Sequence, residues 1–259
     1  MKIIDALYRR KSVRNFMDKE IEKDLLERIE GRLRDTELFD KNEKISFVIS
    51  DYCKKSFYAP YYIGVYASDT KQGMINAGFV LQQLSVYLSA IGIASCYQAK
   101  SVFFKPVNSE GKVLVISLAM GYPNTSMYRE VEEINRFKLD KICIKKEEPN
   151  DEVKRLIEIA RIAPSSYNAQ PWRFVVYNNR IHIFVKKHMI GNIERYKYIN
   201  IGIMLGNIVL GSEELWIDIK FKELNELNRR EYGNNEYIIS LINKNTDCLL
   251  YTSPSPRDS

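Results

Sequence analysis

The sequence predicts an α+β fold of two similar lobes, each with a β-sheet flanked by helices, which together form a pseudo-dimer within one chain. Its 259 residues include 45% hydrophobic and 28% charged side chains, the balance of a globular protein with an ample core. Stretches with helical spacing of apolar residues alternate with short runs rich in β-branched and aromatic residues. The order of these stretches in the first half recurs in the second, which indicates an internal repeat.

The first lobe is predicted to span residues 1–147. Its first long helix is amphipathic, with Ile21, Leu25 and Ile29 on one face. The later helix is apolar on all sides, as expected of a buried helix. In chain order, the predicted elements are a helix over 19–33, strands over 45–49 and 61–67, a helix over 73–90 and a strand over 113–120.

The second lobe is predicted to span residues 148–247, after a charged boundary segment at 145–150. The sequence INAG at 75–78 aligns without a gap to INIG at 199–202, in the long apolar helix of each half. Helix, strand, long helix and final strand follow one another in both halves, so we infer a duplication. The other matched pairs are 24–29 with 152–157, 63–66 with 181–184 and 113–118 with 236–241.

A basic run, RRKSVRNF at 9–16, occurs only in the first half. If the run is extended, Arg10, Ser12 and Arg14 point to one side and Lys11 to the other. Two guanidinium groups and a hydroxyl on one side would suit a phosphate, because arginine gives bidentate bonds to phosphate oxygens. The alternative is a solvated basic face on a helix.

A polar turn, APSSYNAQPWRF at 163–174, occurs only in the second half. Pro164 ends the amphipathic helix before it, and a strand begins after it. Ser165, Ser166 and Asn168 place small hydrogen-bonding groups in this turn, which suits a planar polar ligand. The alternative is that the serines only cap the helix end and that Trp172 is an ordinary core residue.

Together the two segments resemble the FMN-dependent nitroreductase family, whose patterns are R-[RHK]-S-x-R-x-F and A-P-S-x-x-N-x-Q-P-W. In that family FMN lies between two subunits, with the basic run from one and the serine turn from the other. The resemblance implies a nitroreductase-like fold and one flavin site between the two lobes. The residues it implies for FMN are Arg10, Lys11, Ser12 and Arg14 in the basic run, Gln98, Ala99 and Lys100 near the ring, Arg136 at the phosphate, and Pro164, Ser165, Ser166 and Asn168 from the second lobe.

The resemblance also implies an activity. NADH or NADPH would reduce the flavin by ping-pong hydride transfer, and an electron-poor acceptor such as a nitroaromatic, a quinone or free flavin would then be reduced. No catalytic side chain is required, because the flavin carries the chemistry. The alternative is a catalytically degenerate flavin-binding or interaction protein with the same fold. A monomeric pseudo-dimer is the expected assembly.

Composition narrows the remaining function classes. The net charge of +6 is spread over mixed pairs rather than blocks, which disfavours nucleic acid as a partner. Cysteines and histidines lack metal-ligand spacing, so no metal is expected. No signal peptide or membrane-length apolar run is present, which predicts a cytoplasmic protein without a membrane partner. Residues 248–259 resemble a translated sequencing adapter rather than natural protein, so we assign them no function.

Overall fold

The computed structural model describes residues 1–54, 57–99 and 111–244. The adapter-like residues 248–259 lie outside these ranges. A first antiparallel sheet has the strand order β1-β2-β4-β3. The elements of this half are α1 (Ile3–Arg9), α2 (Lys23–Asp35), β1 (Ser46–Ser50), β2 (Tyr61–Ala67), α3 (Lys71–Ala90), β3 (Ala94–Gln98) and β4 (Val113–Gly121).

The second sheet has the order β5-β6-β7-β9-β8, antiparallel except for a parallel pair between β5 and β6. Helices flank both sheets, so the predicted α+β class with two sheets is confirmed. The elements of this half are α4 (Leu139–Ile142), β5 (Cys143–Lys145), α5 (Asp151–Arg161), β6 (Trp172–Val176), β7 (Arg180–Lys186), α6 (Asn192–Glu214), β8 (Ile219–Lys222), α7 (Asn225–Asn228) and β9 (Asn235–Asn243).

The two sheets share one strand order once β5 is set aside. The chain runs helix, two strands, long helix, two strands in each half, and the last strand lies inside the sheet both times. This common order is what a duplication would leave, and the duplication stays a prediction. Strand β5 precedes the predicted lobe boundary at 148 and pairs with the second sheet.

The two long helices, α3 and α6, cross at the centre of the molecule with almost no space between their backbones. A Cβ added to Gly78 would lie 2.1 Å from the carbonyl oxygen of Ile199, and one added to Gly202 would lie 2.0 Å from that of Ile75. The repeated INAG and INIG sequences therefore contact each other reciprocally. Apolar side chains from both sheets and both helices form one buried cluster around this crossing.

One predicted helix start and one missing strand differ from the structure. The helix predicted over 19–33 is α2, which begins at Lys23, because the backbone of Glu22 is extended (φ −57°, ψ 140°). The sequence did not predict β8, whose alternating burial is that of a four-residue edge strand. Within the described ranges, no helix is both long enough and apolar enough to span a membrane.

Candidate active site

The basic run leaves helix α1 at Arg10 and continues in extended form. Arg10 has φ −59° and ψ 141°, and the backbone N–H groups of Lys11 and Val13 donate to Met127 O (3.1 Å) and Ser95 O (3.2 Å). Val13 is buried, whereas Ser12 and Arg14 on either side of it are exposed. The extended interpretation is therefore confirmed, and the helical alternative is wrong for this run.

The serine turn follows α5 and contains strained backbone. Tyr167, Asn168 and Gln170 have φ values of 54°, 55° and 45°, in the left-handed region that costs most non-glycine residues about 1–3 kcal/mol each. The Ser165 hydroxyl accepts a hydrogen bond from Gln170 N (3.0 Å), which closes the turn. Strain held in place by such local bonds is frequent at ligand sites.

Asn200 of helix α6 holds the turn against the helix crossing. Its Oδ1 accepts hydrogen bonds from the backbone N–H of Ser166 (2.9 Å) and from the Ser166 hydroxyl (3.2 Å). Asn200 is fully buried, and its Nδ2 has no partner among the described residues. A buried amide donor without a partner is costly, so the site has an unused hydrogen bond to offer a ligand.

A cavity of about 380 Å³ lies between the two halves, and both sequence motifs line it. Its wall joins the basic run and β3 from the first half to the serine turn and α6 from the second. The predicted site residues that line it are Ser12, Arg14, Gln98, Ala99, Pro164, Ser165 and Ser166. The other lining residues are Phe57, Cys96, Tyr97, Ile116, Tyr167, Tyr196, Asn200 and Ile203.

A cluster of three arginines borders this cavity. Arg10 is 4% exposed, and burial lowers its pKa. Burial lowers the pKa of Arg136 to about 10, with repulsion from Arg129 and Arg10 adding to the effect. Arg10 lies close enough to Cys96 and Tyr97, which line the cavity, for their charges to interact. Arg136 Nε donates to the carbonyl oxygen of Ala163 (3.0 Å), next to the serine turn.

Among the described residues, the cluster lacks a counterion. Glu133 acts weakly on Arg129, but within the described part of the chain no carboxylate forms an ion pair with any of the three arginines. Arg10 Nη2 and Arg129 Nε are buried and have no hydrogen-bond partner there. Because unpaired buried cations are unfavourable, this cluster is suited to bind an anion with several acceptor oxygens.

Four predicted residues do not line the cavity. Arg10 and Arg136 belong to the arginine cluster instead. Lys11 lies on the other side of the extended run, as the two-residue period requires. Asn168 positions the turn, because its Nδ2 donates to Asn135 O (3.1 Å) and its Oδ1 accepts from the Gln170 amide. Lys100 lies outside the described residues.

Several site residues carried no signal in the sequence. Arg129 stands alone in YRE and comes close to Arg10 because the strand-like pairing of Arg10 with Tyr128 places it there. Tyr97 donates to Gln82 Oε1 (2.8 Å), and Gln82 Nε2 donates to Asn207 Oδ1 (2.6 Å), which links the cavity wall to both long helices. Trp172 is fully buried, so the core interpretation is correct for that residue.

Comparisons with known proteins agree with this fold. The family model described as "Putative TM nitroreductase" matches residues 2–212. A curated protein of Helicobacter acinonychis, "Oxygen-insensitive NADPH nitroreductase", is 42% identical over 48 residues, which are 16% of this chain and 23% of that protein. This chain therefore aligns with less than a quarter of that relative's length.

One solved structure gives the same answer on fold. A "putative nitroreductase" of Thermotoga maritima superposes with a TM-score of 0.66 at 20% identity and covers 93% of this chain and 94% of its own. A nitroreductase with bound FMN from Desulfitobacterium hafniense has a TM-score of 0.40 at 14% identity and covers 53% of this chain and 100% of its own.

The two sheets and the cavity between the halves define the fold class and its candidate site. Because the family model covers most of the chain, the protein belongs to the nitroreductase family, and the Thermotoga structure shows that it has the fold. The resemblance carried by the basic run and the serine turn is thereby confirmed at the level of family and fold.

Proposed function

We propose that this protein is an FMN-dependent oxidoreductase that transfers hydride from NADH or NADPH to an electron-poor acceptor such as a nitroaromatic, a quinone or free flavin. The observation that carries the proposal is the unpaired arginine cluster beside a cavity lined by both motifs. A flavin mononucleotide combines a phosphate with a flat polar ring, which matches this combination of a cation cluster and a hydrogen-bonding cavity.

The residues present fit that cofactor. Arg10, Arg129 and Arg136 would hold the phosphate, because Arg10 Nη2 and Arg129 Nε lack an acceptor and all three cations lie close to one another. The hydroxyls and backbone groups that line the cavity would bond the polar edge of the ring, and the buried Asn200 Nδ2 would gain a partner. The groups in question belong to Ser12, Gln98, Ala99, Ser165 and Ser166.

When bound, FMN supplies the hydride chemistry, so the protein needs no nucleophile. The charge of Arg14 at the cavity wall would stabilise negative charge that develops on a bound group. Helix α6 lines the cavity through Tyr196, Asn200 and Ile203, and Tyr167, which also lines it, is 72% exposed. Reductant and acceptor would therefore use the same opening in turn, which predicts parallel double-reciprocal plots.

The choice of NADPH or NADH is part of the proposal. The name of the Helicobacter relative supports NADPH, although the alignment spans only 23% of that protein. We also propose that one chain is a complete unit, because the partner surface that a second subunit would supply is already provided by the second half.

The test is an absorption spectrum of the purified chain, followed by anaerobic addition of NADPH or NADH. We expect flavin bands at about one FMN per chain that bleach on addition. Bands that persist would contradict the oxidoreductase and leave a flavin-binding protein. A colourless chain that takes up no added FMN would contradict the proposal as a whole.

A further inference from the structure

A second cavity occupies the position that corresponds to the first one in the other half of the molecule. Phe79 and Ile239 line it, and these residues match Ile203 and Ile116 of the first cavity in the repeat alignment. Phe221 pairs with Leu241 in its sheet as Tyr97 pairs with Leu118 in the other. The second cavity, about 640 Å³ in volume, is thus the structural counterpart of the candidate flavin site.

The residues that line the second cavity differ in chemistry from those that line the first. The loop after α2 takes the place of the serine turn, and Asn76 holds it through hydrogen bonds with Asp40 and Glu43. Phe39 of this loop packs against Phe79 and Phe221, with ring centroids 5.5 Å and 5.1 Å apart. Phe39 therefore stands where the other cavity has the serine turn, and with Phe79 and Phe221, at the positions of Ile203 and Tyr97, it forms an aromatic wall.

Among the described residues, no arginine cluster like that of the first cavity accompanies this wall. The basic run has no counterpart in the second half, and Arg136 does not line the second cavity; its Nε donates to Ala163 O, next to the serine turn. Two basic residues lie at the rim: Lys41 pairs with Glu37 (3.3 Å), and Arg32 lies over the Tyr87 ring at 5.8 Å. A phosphate would therefore find a single arginine here rather than a buried cluster.

Negative charge exceeds positive charge at the rim instead. Three carboxylates and two basic side chains line it: Asp35, Glu37, Glu213, Arg32 and Lys41. Neither Asp35 nor Glu213 forms an ion pair within the described ranges, whereas Glu37 pairs with Lys41. Aromatic faces combined with carboxylates favour an organic cation, because ring quadrupole and Coulomb attraction act in the same direction.

We propose that this second cavity, called here the Phe39 cavity, binds an organic ammonium ion that carries an aromatic or alkyl group. The cation would contact the rings of Phe39, Phe79 and Phe221, with Glu213 and Asp35 beside it. The two corresponding cavities then have opposite charge preference: one takes an anion at arginines and the other a cation at aromatic rings. This inference does not rest on flavin binding at the first cavity.

The test is calorimetric titration of benzyltrimethylammonium into the full chain, with and without saturating FMN. We expect one binding event per chain, unaffected by FMN, and binding of the uncharged N,N-dimethylbenzamide that is about tenfold weaker. Competition between the cation and FMN would assign the binding to the first cavity and overturn the proposal. Absence of heat and of ligand-line broadening in NMR would also overturn it.

Surface variants localise the binding without disturbing the fold. Glu213→Gln should weaken benzyltrimethylammonium about three- to tenfold, whereas Glu214→Gln, an exposed neighbour that does not line the cavity, should leave it unchanged. Equal effects of the two variants would show a nonspecific charge effect and contradict the site. Phe221→Leu should abolish the preference for the cation over the amide, and a preserved preference would contradict the role of the aromatic wall.

Discussion

The two halves share one strand order, but the asparagine at the corresponding position of each long helix, Asn76 in α3 and Asn200 in α6, makes different contacts. Asn76 makes three hydrogen bonds to the backbone of the loop at 40–43, which packs Phe39 into its own cavity. Asn200 bonds only Ser166 and keeps a free buried donor beside an open cavity. The comparison teaches that one framework produces an aromatic or a polar cavity wall, depending on the sequence of the loop that follows the amphipathic helix of each half, α2 or α5.

The crossing of α3 and α6 joins the halves, so its glycines should give the largest effects. Gly202→Ala would place a Cβ 2.0 Å from the carbonyl oxygen of Ile75, and Gly78→Ala is its counterpart at 2.1 Å from Ile199. We expect each to lower the free energy of unfolding by more than about 4 kcal/mol in urea denaturation, because backbone must move.

Gly31→Ala in α2 is the matched control, since its Cβ would meet nothing within 4 Å. That variant should raise the free energy of unfolding by about 0.5–1 kcal/mol, through helix propensity. If the crossing variants behaved like this control, the reciprocal helix contact would be wrong.

The arginine cluster distinguishes the halves by charge, and Arg10 is its most buried member. Arg10→Met should weaken FMN binding by about 1.5–3 kcal/mol, because a charge-assisted contact is lost. The same change should raise the stability of the FMN-free chain by about 1 kcal/mol or more, since an unpaired buried cation is removed. FMN titration and urea denaturation measure the two effects.

Lys11→Met, which does not alter the cavity wall, is the control for Arg10→Met. It should change neither the free energy of FMN binding nor the free energy of unfolding by more than about 0.5 kcal/mol. If Arg10 had a purely structural role, Arg10→Met would destabilise the FMN-free chain. That result would refute the assignment of the cluster to an anion.

The two asparagines offer the most direct contrast between the halves. Asn76→Ala should cost about 2 kcal/mol of stability, because it leaves buried backbone groups unpaired, and should leave FMN affinity unchanged. Asn200→Ala should cost about 1 kcal/mol of stability but also weaken FMN binding, because Ser166 loses its support. An equal loss of FMN affinity in both variants would abolish the distinction drawn between the loops.

The smallest expected effect concerns the strained turn. Tyr167 has φ 54° and is 72% exposed, so Tyr167→Gly should raise the free energy of unfolding by about 0.5–1 kcal/mol as strain is relieved. Ile190, which is 89% exposed without a positive φ, provides the comparison, and Ile190→Gly should lower stability slightly. Thermal unfolding of both variants measures the difference, and destabilisation by Tyr167→Gly would show that the turn is unstrained.

Local patterns in the sequence predicted most of the framework. Strand β2 was predicted at its observed limits, and of the two forms considered for the basic run the structure shows the extended one. What the sequence could not show depends on contacts between distant segments. Strand β5 exists because three residues pair with β6, and Arg129 belongs to the site only because Tyr128 pairs with Arg10.

Asn168 was predicted as an FMN-binding residue, and in the structure it braces the turn and does not line the cavity. A polar residue in a turn can face a ligand or brace the turn, and the choice depends on the distant Asn135 carbonyl. The Phe39 cavity carried no motif at all, since its aromatic wall is assembled from a loop, a helix and a strand.

The central claim is that one flavin site is shared by the two halves. Its most direct test is titration of FMN into the flavin-free chain and into the variants Arg14→Ala and Ser165→Ala, which alter the cavity wall from opposite halves. We predict one FMN per chain and weaker binding in both variants, each by about tenfold or more. Two FMN per chain, or unchanged affinity in either variant, would contradict a single site between the halves.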